Sequence, residues 1–519
     1  MTAETSKKFQ RTRIIFQVFF LLLFISLFFI PGVSNLKSEN LVKWYFYLDP
    51  FLLIMNFIST GGVLNLFLLS LIPLGLTLFF GRFFCGWICP FGTINQLFSR
   101  LFRKSNRTKE GVNKNILRVK YLILIALLTS ALFGMQLGGW LDPFSLLTRS
   151  IAATTPAADY FAYQSISVGE KKSGEDANVF DPAYNYTKEN ILSDYTRTST
   201  QAIIICGLFI FIIVMNIYSR RFFCNAICPL SALYGIVAKV GIFNFKTNSK
   251  CNSCNICSKN CTYNGNPGED FIKSECLVCF NCLAECPSDA VDVSFGLPSM
   301  KSRPLMDVGR RKMIGAFFSG IVLTSLVKTS AWAKSTKRHS YMRPPGAVNE
   351  NEFLDKCFRC GQCVQACPTS FVQPALLESG IEGMWTPIVN SKTGYCIYEC
   401  NKCTQVCPSE ALRKLTLKEK KVFKLGTAVI DKDKCFTYAD GFNCTACYDK
   451  CPTPEKTIAF REVEIWNFQG RFTKIKQIYI KPNLCIGCAI CEHACPRKDM
   501  PGIYVTADDE IREMVTGDV

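Results

Sequence analysis

Gly309-Arg310-Arg311-Lys312-Met313-Ile314-Gly315-Ala316-Phe317-Phe318-Ser319-Gly320-Ile321-Val322-Leu323-Thr324-Ser325-Leu326-Val327-Lys328-Thr329-Ser330-Ala331-Trp332-Ala333 is the stretch on which the reading of this 519-residue chain turns. Paired arginines precede fifteen uncharged residues, Met313–Val327, and small residues close the run at Ala331-Trp332-Ala333, the layout of a twin-arginine export signal. Eight cysteines in two groups of four precede it and sixteen in four groups follow it. A crossing here would therefore put cysteine clusters on both faces of one membrane. The uncharged run is shorter than the roughly 20 residues a span needs, and snorkelling of Lys328 with the Thr-Ser-Ala-Trp-Ala tail extends it. The competing reading is a buried or surface amphipathic helix.

Composition points the same way. Hydrophobic residues make up 49% of the chain, which suits a membrane protein with soluble parts. The net charge of +18 lies largely beside apolar runs, where positive charge marks the cytoplasmic face, and it is not a nucleic-acid signature. Of 29 cysteines, twenty-four fall in tight groups of four, which is metal-ligand spacing and not a disulfide framework. Only two histidines occur, His339 and His493, and neither lies in an apolar run, so no haem is expected. Electrons, if they move here, move through iron and sulfur.

Four further apolar runs lie at Ile14–Ile30, Val63–Phe80, Tyr121–Trp140 and Ala202–Tyr218. Pro31-Gly32 ends the first. Between Arg100 and Lys120 stand eight basic residues against the single acid Glu110. This bias puts the N-terminus, the 81–120 loop and the chain from Arg220 onward in the cytoplasm, with 31–61 and 141–201 outside. The region repeats in one orientation. Leu48-Asp49-Pro50-Phe51 returns as Leu141-Asp142-Pro143-Phe144, and Arg82-Phe83-Phe84-Cys85 through Cys89-Pro90 returns as Arg221-Phe222-Phe223-Cys224 through Cys228-Pro229. Sites in repeat-built membrane proteins tend to lie between the halves. Cysteines four apart share a face if helical. Two readings stand for Cys85, Cys89, Cys224 and Cys228: thiols that bind a metal or act as dithiols beside a quinone pocket, or buried cysteines packing helix ends. Asp49 and Asp142 either accept quinol protons or cap turns. Cys206 reads as core.

Cys251-x2-Cys254-x2-Cys257-x3-Cys261 and Cys276-x2-Cys279-x2-Cys282-x3-Cys286 have the two-cluster ferredoxin pattern, in which the fourth cysteine serves the other cluster. One cubane is expected on Cys251, Cys254, Cys257 and Cys286, its neighbour on Cys276, Cys279, Cys282 and Cys261. A zinc ribbon would pair two Cys-x2-Cys hooks instead. Past the linker 334–347 come Cys357, Cys360, Cys363, Cys367; Cys396, Cys400, Cys403, Cys407; Cys435, Cys444, Cys447, Cys451; and Cys485, Cys488, Cys491, Cys495. Proline follows each fourth cysteine. How these four groups pair is left open by spacing. Ile458–Ile465 and Phe472–Ile480 alternate like a hairpin, and Val291–Val293 reads as a short strand. The expected fold is multi-domain: a helical membrane region 1–240 of four helices as a duplicated pair, a cytoplasmic two-cluster domain 241–306, a fifth transmembrane helix 307–333, and a periplasmic four-cluster domain 334–519, both iron–sulfur domains being α+β and ferredoxin-like.

With these motifs in hand, residues 1–300 resemble the NapH-type membrane quinol dehydrogenase subunit, and residues 307–519 resemble the NapG-type four-cluster ferredoxin. The resemblance implies a bacterial inner-membrane module with six [4Fe-4S] clusters that passes electrons from menaquinol to a periplasmic reductase or cytochrome. Relatives with the same parts serve nitrous oxide reduction and cytochrome oxidase assembly. Rival readings are a redox-sensing or metalloenzyme-assembly membrane protein, and a ferredoxin-linked carrier that does not use quinol.

Overall fold

The computed structural model describes residues 3–29, 41–102, 114–156, 199–268, 271–296, 309–329, 341–466 and 472–512. Pro31-Gly32, the basic residues 103–109, Ala331-Trp332-Ala333, most of the linker and His339 lie outside the described residues. The chain packs as two units, Met1–Thr148 with Ile204–Leu326, and Arg149–Ile203 with Val327–Val519. The described residues of 241–296 fall within the first unit together with the helices.

In the first unit the apolar runs are helical. Ala3–Phe29 is a helix of 27 residues. Leucine, isoleucine and phenylalanine ring it on all sides, which suits a helix in an apolar medium. Among the described residues it alone is long and apolar enough to cross a membrane. Asn65–Phe80 and Ala202–Ile217 are shorter apolar helices. Lys114–Leu132 covers the start of the third run, and Arg310–Thr329 covers the decisive stretch.

The expectation of two helices per half is corrected by the structure, which has two more in each. They are Pro50–Thr60 and Pro90–Leu101 in the first half, and residues 143–156 and Pro229–Val240 in the second. Each begins at a proline, whose missing N–H costs nothing in a first turn. The residue before each proline is the N-cap. Asp49 Oδ1 accepts from the backbone N–H of Phe51 at 2.8 Å and of Leu52 at 3.2 Å. Asp142 Oδ2 accepts from Ser145 N–H at 2.7 Å. Cys89 Sγ accepts from Gly92 N–H, and Cys228 Sγ from Ser231 N–H, both at 3.4 Å. The cysteines of a pair therefore do not share one helix face, as a continuous helix would require. Cys85 sits in the short helix Phe83–Trp87 and Cys224 in the π-helical turn Phe223–Ile227, while Cys89 and Cys228 are extended at φ −63° and −60°.

The cysteine groups form three modules built alike: the chain entering and the chain leaving two consecutive groups pair as antiparallel backbone. In the first unit Phe243–Thr247 pairs with Val291–Phe295, so the strand expected at 291–293 is present. In the second unit Thr427–Ile430 pairs with Ile503–Thr506 around the last two groups. Around the groups at 357–407 the closure shrinks to a bridge, Ala347 opposite Leu412, with Arg413 N–H donating to Gly346 C=O at 2.7 Å. The hairpin expected between the third and fourth groups is Ile458–Trp466 against Phe472–Ile480.

One ion cluster fastens the entry and exit chains of the second unit. Glu350 takes a fork from buried Arg343 (Nη2 at 2.5 Å, Nε at 3.1 Å) and a third bond from Arg512 Nη1 at 2.5 Å. Burial pushes the carboxyl up, but Arg343 and then Arg512 overcome that and hold it at about 2 against the ordinary 4.5. An acid with a lowered folded-state value stabilises above its unfolded value and loses the contribution as pH falls through its folded one. At about 1.4 kcal/mol per pKa unit, Glu350→Gln is expected to destabilise this unit by about 3 kcal/mol at pH 7. The gap to the wild type should shrink steadily between about pH 5 and 2 in urea unfolding followed by fluorescence.

Candidate functional site

The cysteine groups are shaped by backbone that side chains rarely adopt. Ser253 and Asn255 (φ 53° and 55°) flank Cys254; Val278 and Phe280 (52° and 58°) flank Cys279; Arg359 and Gly361 (55° and 75°) flank Cys360; Gly487 and Ala489 (70° and 59°) flank Cys488. Left-handed residues on both sides of a cysteine curl the chain so that its N–H groups face inward, as in an anion nest. A β-branched valine in that region costs about 1–3 kcal/mol and persists only where the surroundings over-determine it. Cys400 and Cys444, whose groups have longer first gaps, have no such flanks.

Cys251, Cys254, Cys257 and Cys286 line one cavity of about 320 Å³, and Cys261, Cys276, Cys279 and Cys282 line another of about 340 Å³. Each cavity draws three cysteines from one group and the fourth from the other. The donor chemistry fits a cubane. Four soft thiols face one space, and backbone N–H groups donate to the sulfurs of Cys261 (from Gly265, 3.1 Å) and Cys286 (from Ala290, 3.2 Å). A Cβ at Gly268 would sit 2.7 Å from Cys257 Sγ, so the loop passes too close for any side chain. Among the described residues no three His, Cys, Asp or Glu converge on a single-ion position. Thiols disposed around a cavity instead of a point are what a multi-iron cluster requires.

In the second unit the pairing that spacing left open becomes visible. Cys367 joins Cys396, Cys400 and Cys403 around a cavity of about 340 Å³. Cys407 faces Cys357, Cys360 and Cys363. Cys451 faces Cys488. Gly502, whose N–H donates to Cys495 Sγ, lies against the backbone of Cys435. So the first group exchanges with the second, and the third with the fourth. The two modules meet where Cys396 N–H donates to Cys488 C=O at 2.9 Å. Sequence reasoning missed one feature: a hydroxyl two residues after the fourth cysteine reaches its sulfur, at Ser288, Thr369, Ser409 and Thr453. The signal was a recurrent Cys-Pro-Ser/Thr.

The repeated helix junctions pack directly on the module of the first unit. Trp87 Nε1 donates to Val278 C=O at 3.1 Å, and a Cβ at Gly86 would lie 2.4 Å from Leu277 C=O. Arg82, fully buried, donates to Ser274 C=O at 2.8 Å, Glu275 at 3.2 Å, Ser231 Oγ at 2.5 Å and Tyr263 Oη at 3.0 Å. Lys120 and Tyr121 also bond Glu275, at 2.5 and 2.9 Å. Tyr263 Oη in turn donates to Cys224 C=O. Arg82, Lys120 and Glu275 form a buried charge network that ends one residue before Cys276. Breaking such a pair from one side costs about 3–5 kcal/mol. None of these partners was singled out from sequence as a site residue.

Cys85, Cys89, Cys224 and Cys228 come together behind this junction, within electrostatic reach of one another. Farther in, Asp49 and Asp142, both fully buried, lie side chain against side chain. Each already caps a helix with one oxygen, and Asp49 Oδ2 and Asp142 Oδ1 find no donor around them. A carboxyl pair in this arrangement is satisfied when one member carries a proton. Tyr234, fully buried with an unpartnered hydroxyl, lies within electrostatic reach of both Asp49 and the thiols, with the Phe84 ring tilted against it at 5.5 Å between centroids. Cys206 lies apart from all of these, in Ala202–Val214.

Three two-group modules, with thiol-lined cavities in the first two, define a ferredoxin-type iron–sulfur electron-transfer protein. A family model described as "4Fe-4S binding domain" matches residues 63–109 and again 201–249, once on each half of the repeat, and two more with the same description match residues 353–373 and 482–500. The chain is 30% identical over 199 residues to the methylamine utilization ferredoxin-type protein MauM of Methylorubrum extorquens, covering 38% of this chain and 85% of that protein. It belongs to the MauM ferredoxin-type protein family. It is also 36% identical over 156 residues to the ferredoxin-type protein NapG of Escherichia coli, covering 30% of this chain and 65% of NapG's length. A protein of Methanocaldococcus jannaschii is 26% identical over 270 residues, covering 50% of this chain and 93% of its own. No solved structure matches the chain.

Proposed function

We propose that this protein is a membrane-bound quinol-oxidising electron-transfer module, with the repeated helices as a NapH-type quinol dehydrogenase part. The module at 243–295 lies on the cytoplasmic side, and the modules at 346–413 and 427–506 lie in the periplasm. Arg310–Thr329, with its paired arginines, is the crossing between them. The six cysteine sets hold six [4Fe-4S] clusters, which supply one-electron relay positions when bound. The acceptor is a periplasmic reductase or cytochrome, and menaquinol is the donor.

The observation that carries this reading is the buried Asp49–Asp142 pair on the pseudo-symmetric junction. Ionisable groups among apolar helices are expensive and are kept where they bind or move protons. Oxidising a quinol to a quinone releases two protons and two electrons. Asp49 and Asp142, sharing one proton, can accept one more from a quinol hydroxyl and must pass it to water before taking the second, while the two electrons leave singly to an acceptor. Phe84, Phe144 and Tyr234 supply an aromatic wall beside them. Trp87, Gly86 and Arg82 hold the Cys276 loop against the same junction, which keeps an electron acceptor close to where the protons leave.

Two measurements test this. Full-length protein in nanodiscs, mixed with a menaquinol analogue under anaerobic stopped flow, should bleach its cluster absorption at catalytic rates. Bleaching by dithionite alone would leave an electron carrier that does not use quinol. An affinity tag after Val519 should be accessible outside spheroplasts; a tag open only in inverted vesicles would place both sets of clusters on one side.

A further inference from the structure

We propose that a cleft at the inner end of the first helix is a binding site for a phosphoryl-type oxyanion. The cleft, of about 740 Å³ and partly open to solvent, is lined by Arg13, Arg100, Arg220 and Arg221 against one acid, Glu285, with Gln96 at its side. Arg13 and Arg221 are 1% and 2% exposed, so two guanidinium groups are held out of water beside an empty space. Their bonding is incomplete in one direction. Arg221 donates to Gln96 Oε1 and, at 3.4 Å, to Cys85 C=O, yet its Nε has no acceptor. Arg13 leaves both Nε and Nη1 without one. Gln96 Oε1 is taken by Arg221 and by Gln17 at 3.0 Å, which leaves Gln96 Nε2 a donor with no acceptor.

Every buried atom left unpartnered in the cleft lining is a donor, and two of the three residues that carry them are cationic. An unsatisfied buried donor costs about 1–3 kcal/mol, more when charged. The structure therefore calls for a ligand that brings acceptors only and carries negative charge. Guanidinium forks match the paired oxygens of phosphate better than a spherical halide does. Two sources offer that chemistry: free phosphate, or the headgroup of an anionic phospholipid entering from the membrane side of the first helix. Arg13 also lies within electrostatic reach of Cys279, so the occupant would sit close to the second cysteine set.

The test uses the full chain in nanodiscs. In phosphatidylcholine discs inorganic phosphate is titrated and bound anion followed by 31P NMR; in a second preparation phosphatidylglycerol is added and retained lipid counted by native mass spectrometry. Saturable phosphate binding identifies the free ion, and one retained phosphatidylglycerol per chain identifies the lipid. Either supports the site if Arg13→Gln weakens it about tenfold or more with iron content unchanged, the loss expected for one charge-assisted bond. Arg100→Gln, at the exposed rim, should weaken it about threefold and serves where Arg13→Gln loses iron. Absence of saturable binding in both preparations, or binding that neither substitution moves, overturns the proposal.

Discussion

Asp49→Asn should slow reduction of the clusters by a menaquinol analogue by about a hundredfold or more, while dithionite still reduces them fully. The substitution separates the two roles this carboxyl fills. Asparagine caps a helix as well as aspartate does, so the bonds now made to Phe51 and Leu52 N–H survive. Its amide can also donate to Asp142, so the side-chain link across the repeat is kept. What it cannot do is take a proton. If Asp49 only caps Pro50–Thr60, the variant will match the wild type in quinol-driven bleaching as well as in stability. Asp142→Asn gives the reciprocal experiment, since Asp142 makes the equivalent cap to Ser145. General acid–base groups contribute typically 10²–10⁴-fold, so a loss under threefold in both variants would remove the proton role from this pair.

The second large effect concerns iron. Six cubanes predict about 24 iron atoms per chain, and Cys276→Ser is expected to bring the count to about 20. The loss should come with a weakened junction, because Arg82, Lys120 and Tyr121 all bond Glu275 next door. By contrast, Cys85→Ala and Cys228→Ala should leave iron unchanged. The six cubanes already take the twenty-four grouped cysteines as ligands, four to each, and Cys228 Sγ caps Pro229–Val240. The match of a "4Fe-4S binding domain" model to both halves makes the contrast sharp. Iron that falls in Cys85→Ala and Cys228→Ala would mean that the repeats themselves carry a centre. Iron that stays at about 24 in Cys276→Ser would refute the cluster assignment of that cavity.

Much of this architecture was legible because ligand spacing is local. Three cysteines within seven residues must wrap one object, and Gly361 and Gly487 already advertise the left-handed turns that do the wrapping. Val278 and Phe280 adopt the same turns with side chains that argue against them, so only the neighbouring cysteines betray the conformation. At the Asp-Pro and Cys-Pro junctions the proline opens a helix and the residue before it caps one, so Asp49 and Asp142 cap helices where the sequence suggested turn caps. The charge network was out of reach for another reason. Arg82 and Glu275 are separated by 193 positions, and nothing in the composition around either one names its partner. The pairing of the four later groups was likewise a matter of chain closure, fixed by Ala347 against Leu412 and by Thr427–Ile430 against Ile503–Thr506.

The backbone bond from Cys396 to Cys488 reorders the arm relative to the gene. It makes the second and fourth cysteine groups next-door neighbours and pushes the first and third to opposite ends. The last group in the polypeptide thus lies at the seam between the two modules, with Cys435–Cys451 on the side away from it. That group's lengthened first gap holds out Phe442, 63% exposed. Deleting the C-terminal group would therefore also take Cys495 from the set that Cys435, Cys444 and Cys447 begin, so both cysteine sets of that module would lose ligands.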